Sequence, residues 1–334
     1  MHVFITGVAG FLGSNLADYY VKKGYKVSGN DTLVGGDLEN IDRTKINFYK
    51  VDCENLDEMT ISMKDVDVVC HTAAYAHEGL SSFAPTLICN NNYTGSVSVF
   101  TAAIRNNVKR IVFCSSMARY GNQVSPFTED MLPKPEDPYG FAKAASEDIV
   151  KNLCNTHKVD WTILVPHNIV GPRQKYDDPY RNVMSIFLNK MIQNEQVYIY
   201  GDGSQQRCFS YIDDCLDCME KCVTLNETSK QIINIGPDEE VVTIKQLAEL
   251  CANEVGHNKE PIFVPDRPQE VKFATCSSNK AKKILGYKTN FTLKESIQKT
   301  HEYIKHKGAK KFKYHIDLEI NNKQTPETWK KKLI

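Results

Sequence analysis

The sequence predicts an α/β protein with a doubly wound parallel sheet, because strand-like and helix-like segments alternate through its first half. An apolar run typical of a buried strand occupies residues 2–6, and further strands are predicted at residues 26–30, 47–52, 66–73, 110–116 and 161–166. Helical patterns lie between the later runs, at residues 85–107 and 139–157. Such alternation favours a sheet covered on both faces, with the ligand site at the carboxyl ends of its strands.

The first strand is followed by a glycine-rich turn and then by an amphipathic stretch that stops at Gly24. Gly7, Gly10 and Gly13 suit a tight turn, a close approach of backbone to a pyrophosphate, and close helix–strand packing. The second strand leads directly into Asp31. A carboxylate there accepts a hydrogen bond from a ribose 2′-hydroxyl and repels a 2′-phosphate, so the pattern predicts NAD in preference to NADP.

A candidate acid–base centre consists of Ser116, Tyr139 and Lys143, the last two within the segment YGFAK. Residues four apart on a helix share a face, so the Lys143 ammonium can lie beside the Tyr139 phenol. A free phenol has a pKa near ~10, and a neighbouring cation lowers that pKa toward the range of a useful general base. Ser116 can hydrogen-bond the substrate oxygen whose proton moves. An isolated YxxxK match is an ordinary helix face, and the glycine-rich turn is what favours the catalytic interpretation.

The composition gives no reason to expect nucleic acid or a membrane as a partner. Basic and acidic residues balance at 41 each among 334 residues, and no apolar stretch approaches the length of about 18 residues that a spanning helix needs. The chain opens into a strand instead of a signal peptide, so we predict a cytoplasmic protein. Cys215, Cys218 and Cys222 are spaced like one buried helix face, and no metal is expected.

Several segments in one order resemble the extended short-chain dehydrogenase/reductase family, specifically its NAD-dependent nucleotide-sugar epimerases of the UDP-glucose 4-epimerase type. The segments are TGVAGFLG, HTAAYAHEGLSSFAP, NNYTG, CSSMARYG, YGFAK, VPHNIVGPR, GDGSQQRCFSYIDD, NIG and PDRPQE, and the resemblance runs from residue 1 to about residue 305. It implies a Rossmann-type NAD-binding domain of residues 1–166 plus about 207–236. A smaller α/β substrate-binding lobe would comprise about 167–206 plus 237–310, and residues 311–334 would form a C-terminal extension.

The resemblance implies a set of NAD-binding residues and a set of substrate-binding residues. The first set is Gly7, Gly10, Phe11, Leu12, Gly13, Asp31, Asp52 and Cys53 on the adenosine side, with Ala73, Ala74, Asn91, Ser115, Tyr139, Lys143 and His167 nearer the nicotinamide. The second set is Ser116, Tyr139, Asn168, Arg207, Arg267, Glu270 and Ala274. The two arginines would hold the diphosphate, because guanidinium groups bind phosphate oxygens in pairs. A small residue such as Ala274 would admit an N-acetyl group on the sugar.

In the resembling enzymes the tyrosine removes the proton of a sugar C4 hydroxyl while NAD⁺ takes the hydride, and return of the hydride to the opposite face of the 4-keto sugar inverts C4. The expected substrates are UDP-glucose and UDP-galactose, with the N-acetylhexosamine pair also possible. Residues 116–118 lack the acidic pair of 4,6-dehydratases and the acidic residue of decarboxylases. A UDP-glucuronate 4-epimerase stays open, since a sugar carboxylate could bind Arg119 or Arg181. Another enzyme that modifies NDP-sugars, or a catalytically silent NAD-binding scaffold, is a further alternative.

The resemblance also implies a homodimer in which the helical segments at 85–107 and 139–157 pair with their symmetry mates as a four-helix bundle. These segments carry more apolar residues than one buried stripe needs, namely Val97, Val99, Phe100, Ile104, Ile149 and Leu153. The lysine-rich tail contains a short apolar run at residues 315–320 and no recognisable chemistry. We expect the tail to be a packed or partner-binding extension.

Overall fold

The computed structural model describes residues 1–334 and contains a seven-stranded parallel sheet with the strand order β11-β6-β5-β4-β1-β2-β3. Short strand pairs lie outside it. The strands are β1 (His2–Thr6), β2 (Lys26–Asn30), β3 (Ile46–Tyr49), β4 (Val68–His71), β5 (Arg110–Cys114), β6 (Asp160–Pro166), β7 (Ile169–Val170), β8 (Tyr198–Tyr200), β9 (Gln206–Arg207), β10 (Ser210–Tyr211), β11 (Gln231–Ile235), β12 (Val242–Thr243), β13 (Ile262–Val264) and β14 (Phe273–Ala274).

Twelve α-helices surround the strands, and none of them is long and apolar enough to cross a bilayer. The helices are α1 (Phe11–Lys22), α2 (Leu56–Ser62), α3 (Glu78–Ser81), α4 (Pro85–Cys89), α5 (Gly95–Arg105), α6 (Pro138–His157), α7 (Val183–Ile192), α8 (Ile212–Thr224), α9 (Ile244–Val255), α10 (Asn279–Leu285), α11 (Leu293–Lys307) and α12 (Glu327–Lys330).

The large sheet is covered on both faces, as the alternation of elements predicted. Successive residues of β1 point to opposite faces, so Val3 and Ile5 pack with α1, α8 and α10, while Phe4 packs with α2, α5 and α6. The cysteines of α8 lie in the first of these two cores as small apolar side chains. The fold class predicted from the sequence is therefore confirmed.

The strand and helix bounds differ from the sequence prediction mainly at one place. The helical pattern predicted for residues 85–107 is divided into α4, a π-helical segment at Asn90–Thr94, and α5. A π-helical turn holds one extra residue and is frequent at functional sites. Here it carries Asn91 into the ligand cavity described below.

A smaller lobe is built around a separate apolar core formed by α7, α9 and α11. The chain enters this lobe after β6 and returns to the large sheet at β11, which pairs in parallel with β6. The lobe therefore lies over the carboxyl ends of the sheet strands. The segment that follows α11 leaves the lobe again and reaches the loop before α4.

Candidate active site

A deep cavity of about 480 Å³ lies at the carboxyl ends of the sheet strands, under the smaller lobe. The strand order reverses between β1 and β4, and ligands of doubly wound sheets bind at such a reversal. Nearly all of the predicted site residues line the cavity: Gly7, Gly10, Phe11, Leu12, Gly13, Asp31, Asp52, Cys53, Ala73, Ala74, Asn91, Ser115, Ser116, Tyr139, Lys143, Asn168, Arg207, Arg267 and Glu270.

Two predicted site residues, His167 and Ala274, do not belong to the cavity wall. The His167 ring is fully buried, with Nε2 3.3 Å from the Ala274 carbonyl oxygen and Nδ1 3.1 Å from the Cys276 Sγ. Ala274 lies on β14, which pairs with β9 and packs against the sheet core. The two residues contact each other next to the cavity, so the nicotinamide role of His167 and the substituent role of Ala274 stay predictions of the sequence.

The first turn of α1 provides a cradle for a dinucleotide. Helix α1 has Gly10 at its N-cap with no side-chain cap, so the first amide groups are free to bind a pyrophosphate. A Cβ on Gly13 would lie 2.1 Å from the Gly7 carbonyl oxygen, which shows that only glycine permits this close turn. Gly7 also has a φ of +67°.

Asp31 lies at the end of β2, next to this cradle. Its carboxylate oxygens accept hydrogen bonds from the Ala9 amide at 3.1 Å and the Leu33 amide at 2.8 Å. Burial raises the pKa of Asp31, although the backbone hydrogen bonds act in the opposite direction. The oriented carboxylate keeps further acceptor capacity for a ribose hydroxyl. The residues present therefore fit NAD.

Asn91 belongs to the same binding wall and is held by the loop after β4. Its Oδ1 accepts a hydrogen bond from the Tyr75 amide at 3.1 Å. The neighbouring Asn92 donates to the Tyr75 carbonyl oxygen at 3.0 Å. The π-helical segment and this loop are thus fixed to each other at the cavity.

The candidate acid–base centre is assembled from the end of β5 and the start of α6. The Asp137 side chain caps α6 by accepting from the Gly140 amide at 3.0 Å, and Pro138 occupies the first turn. This cap places Tyr139 in the first turn and Lys143 one turn later. The Lys143 Nζ lies 6.0 Å from the centre of the Tyr139 ring and donates to the Cys114 carbonyl oxygen at 2.9 Å.

The predicted lowering of the phenol pKa is wrong for the protein chain alone. Burial raises the pKa of Tyr139, and it outweighs the opposing effects of the Ser116 hydroxyl and the Arg181 charge. Burial also lowers the pKa of Lys143 to about 8, because a buried ammonium loses hydration. The sequence showed the cation next to the phenol, but it did not show how completely both groups are enclosed.

The predicted phosphate-binding arginines are close together at the opposite side of the cavity. Arg207 Nη2 lies 3.1 Å from a Glu270 carboxylate oxygen, and Arg267 Nε lies 2.9 Å from the other. The two guanidinium groups lower the pKa of Glu270 despite its burial. Two cations that share one carboxylate leave net positive charge for a diphosphate.

The sequence analysis missed a second polar cluster on the cavity wall. His77 Nε2 lies 2.9 Å from an Asp178 carboxylate oxygen, and His315 Nε2 lies 3.7 Å from the same oxygen. Burial raises the pKa of Asp178, but His77 and the nearby Arg181 outweigh this effect and lower it overall. Three potential metal ligands thus lie within 4.8 Å of one another. His77 already holds the carboxylate by a hydrogen bond, and the positive charge of the nearby Arg181 disfavours binding of a further cation.

Arg119 does not reach the cavity. Its side chain is 2% exposed, and its Nε lies 2.9 Å from a carboxylate oxygen of Glu147, which is 0% exposed. Glu147 also accepts from the Ser115 hydroxyl. The prediction that Arg119 could meet a sugar carboxylate is therefore wrong, because its guanidinium is used inside the protein.

The fold and the cavity define a nucleotide-binding enzyme of the short-chain dehydrogenase/reductase class, with a Ser–Tyr–Lys centre between a dinucleotide cradle and a phosphate site. Residues 3–236 match the model of the NAD dependent epimerase/dehydratase family, and the chain belongs to that family. NAD is its cofactor.

Several known enzymes are similar to this chain over most of its length. The UDP-glucose 4-epimerase of Mycolicibacterium smegmatis is 30% identical over 92% of this chain and 100% of its own. The UDP-glucose 4-epimerase of Thermotoga maritima, solved with UDP-glucose, is 31% identical with a TM-score of 0.87, over 92% of this chain and 99% of its own. The UDP-glucuronic acid 4-epimerase of Bacillus cereus, solved with UDP-glucuronic acid and NAD, is 26% identical with a TM-score of 0.86. The match covers 92% of this chain and 100% of its own.

Proposed function

We propose that this protein is an NAD-dependent UDP-sugar 4-epimerase that interconverts UDP-glucose and UDP-galactose. The observation that carries the proposal is the position of Tyr139 and Ser116 in one cavity, between the α1 cradle and the arginine pair. An NAD molecule held by its pyrophosphate and a sugar held by its diphosphate would both extend toward these two side chains. The named relatives act on UDP-sugars, which supports this substrate class.

The side chains divide the work of a proton transfer at C4. NAD, when bound, supplies the acceptor that takes a hydride and gives it back. Tyr139 accepts the C4 hydroxyl proton and later returns one, and Ser116 holds the same oxygen by a hydrogen bond. Lys143 keeps positive charge close to the phenol while its own position is fixed by the Cys114 carbonyl group. Tyr139 and Lys143 are buried, which keeps the proton transfer away from bulk water.

The acidic residues that the resembling 4,6-dehydratases carry directly after the position of Ser116 are absent from this cavity wall. Met117 follows Ser116 and lines the cavity, and the short helical turn that it begins, Met117–Arg119, contains no carboxylate. Elimination of water requires a general acid near the leaving hydroxyl. Epimerisation needs only the proton transfers of Tyr139, so it is the reaction that this wall supports best.

Epimerisation of a UDP-uronate is a second candidate, and Arg181 favours it. Arg181 lines the cavity close enough to Tyr139 to act on the pKa of the phenol, and it forms no ion pair or hydrogen bond with the protein. An unpaired guanidinium is a suitable partner for a sugar carboxylate. Ala274 does not line the cavity, so the structure adds no support for N-acetylated sugars from that residue, and their conversion stays a prediction of the sequence.

Product analysis tests the proposal directly. The NAD-loaded protein is incubated with UDP-glucose, UDP-N-acetylglucosamine and UDP-glucuronate in separate reactions, and the products are assigned by NMR. We expect inversion at C4 without net release of NADH. A chain that releases NADH, or that leaves all three sugars unchanged, would contradict the proposed function. Conversion of UDP-glucuronate alone would select the second candidate.

A homodimer is part of the proposal. Val97 and Ile104 on α5, and Ile149 and Leu153 on α6, are only partly buried within the chain. Val99 and Phe100, which the sequence also suggested for the dimer interface, are buried in the core of the chain. An isologous pairing of the outer faces of α5 and α6 across a two-fold axis would bury the partly exposed residues. The cytoplasmic location stays a prediction of the sequence.

A further inference from the structure

The residues after α11 form an ordered segment, 309–334, that we call the C-terminal strap. It begins on the smaller lobe, where the Lys313 amide donates to the Asp177 carbonyl oxygen at 2.8 Å and the Tyr180 hydroxyl donates to the Ile316 carbonyl oxygen at 3.2 Å. It then crosses to the nucleotide-binding domain. There the amides of Glu319 and Ile320 both donate to the Phe83 carbonyl oxygen, at 2.8 and 3.0 Å.

Both lobes hold the strap. On the nucleotide-binding domain, the Glu319 carboxylate accepts from the Thr86 and Leu87 amides at 2.8 and 2.9 Å. On the smaller lobe, the Tyr200 hydroxyl lies 2.5 Å from the Thr328 Oγ1. The strap is therefore attached at both sides of the cavity.

The strap also shares an apolar core with the catalytic tyrosine. Ile316 and Trp329 are each 3% exposed and belong to the same cluster as Tyr139 and Tyr180. The Trp329 ring packs edge-on against Tyr180, with ring centres 5.5 Å apart. The strap is therefore built into the structure beside the reaction centre.

Three strap residues, His315, Trp329 and Ile334, contribute to the cavity wall. His315 reaches Asp178 in the cluster that includes His77. Trp329 lies beside Gly79, where an added Cβ would be 3.7 Å from the Trp329 ring and 2.9 Å from Arg267 Nη1. The strap thus occupies the wall between the phosphate-binding arginines and the catalytic tyrosine.

We propose that the C-terminal strap forms part of the sugar subsite, and that His315 contacts the sugar of a bound UDP-sugar and limits which sugars fit. The proposal rests on the proposed function. A sugar between the diphosphate and Tyr139 has to lie against this wall. The imidazole of His315 is partly exposed there and can hydrogen-bond sugar hydroxyl groups, while the buried Trp329 ring holds the strap in place.

Binding of UDP-glucose and of UDP alone to the NAD-loaded protein separates a sugar contact from a general effect. We expect His315→Ala to weaken UDP-glucose binding by about tenfold in calorimetric titrations, with a smaller effect on UDP. Lys323→Ala is the matched control, because this exposed strap residue lies outside the cavity wall. Equal UDP-glucose affinities for the control and the His315 variant would overturn the proposal.

A measurement on the unmodified chain covers the case in which a variant does not fold. The strap offers trypsin cleavage sites at Lys313, Lys323 and Lys330. UDP-glucose should slow cleavage at these sites more than UDP does, and equal cleavage rates would contradict the sugar contact. A parent that binds UDP-glucose but does not invert C4 would contradict the proposed function alone. A parent that binds no UDP-sugar would overturn both.

Discussion

Arg119 and Glu147 form a buried ion pair, with the Arg119 Nε 2.9 Å from the Glu147 carboxylate. Glu147 lies one helical turn after Lys143 on α6 and also accepts the Ser115 hydroxyl, so the pair stands directly behind the catalytic wall. The negative charge of Glu147 raises the pKa of Lys143, although burial of Lys143 acts more strongly in the opposite direction. The ion pair therefore gives Arg119 a structural role, whereas the sequence had left contact with a sugar carboxylate open.

Removal of Arg119 should destabilise the protein strongly. Breaking a buried ion pair by loss of one partner costs about 3–5 kcal/mol, since the other charge stays buried. We expect Arg119→Leu to lower the free energy of unfolding by about this amount in urea titrations. The double variant Arg119→Leu with Glu147→Gln should lose less, because no unpaired charge remains. Equal losses of unfolding free energy in the single and the double variant would show that packing, and not charge, determines stability at this site.

The Arg119→Leu deficit should also depend on pH. Burial raises the pKa of Glu147 even beside Arg119, and loss of the guanidinium would raise it further. A carboxyl group whose pKa is higher in the folded than in the unfolded state makes the folded protein more stable as pH falls toward the unfolded-state pKa. The deficit should therefore narrow from about pH 7 to about pH 5. A constant deficit over this range would contradict the explanation.

Tyr139→Phe should abolish epimerisation while the fold and bound NAD are kept. Proton transfer by a positioned group contributes about 10²–10⁴-fold to a rate, and here the hydride cannot leave unless the proton is removed. C4 inversion is followed by NMR, and NAD content is measured in the same preparation. Turnover near that of the parent would exclude Tyr139 as the base.

Lys143→Ala should slow the reaction and change its pH dependence. The pKa of Lys143 is about 8 in the structure, so the parent loses this cation above that pH and its rate should level off or fall. Without the cation the buried phenol needs more alkaline solution to ionise, so the variant should recover part of its rate as pH rises. Rate–pH profiles of both proteins test this. A flat profile for the variant would indicate that Lys143 serves only to hold the Cys114 carbonyl group.

Asp31→Ser should weaken NAD binding by about tenfold or more, because a hydrogen bond to a charged group contributes roughly 1.5–3 kcal/mol. It should also reduce discrimination against NADP, since the negative charge that opposes a 2′-phosphate is removed. The NAD retained after dialysis and the affinity for both cofactors are the measurements. Asp52→Ala is the comparison for cofactor preference, because Asp52 also lines the cavity and belongs to the predicted NAD-binding set, so its loss should weaken NAD and NADP alike. Unchanged preference for NAD would contradict the role of Asp31.

Leu153→Glu should convert the proposed dimer to a monomer. Leu153 is a partly buried residue on α6, and a charge there would be enclosed without a partner in an apolar interface. Sedimentation velocity at micromolar concentration measures the change. Asn155 is exposed and lies two residues further along the same helix, so Asn155→Asp adds a negative charge away from the proposed interface and serves as the control. A parent that sediments as a monomer would contradict the bundle.

Local patterns were sufficient for the sheet and for much of the site. The bounds of β1 follow directly from an apolar run, and the glycine turn required a glycine at position 13, where an added Cβ would lie 2.1 Å from the Gly7 carbonyl oxygen. Ser116, Tyr139 and Lys143 could be selected because each lies at a strand end or on one helix face. These are properties of neighbouring residues, so they can be seen in a single chain.

Contacts between distant parts of the chain could be decided only by the tertiary structure. His77 and Asp178 pair across 101 positions, and the strap brings His315 and Trp329 to the same cavity without a local signal. The burial that raises the pKa of Tyr139 depends on Tyr180 of the smaller lobe and on the strap as well as on the nucleotide-binding domain. The sequence by itself determined which chemistry is present, since periodicity and turn residues act locally. The tertiary structure decided which groups contact one another and how far they are buried from solvent. Burial and pKa depend on packing between segments that lie far apart in the sequence.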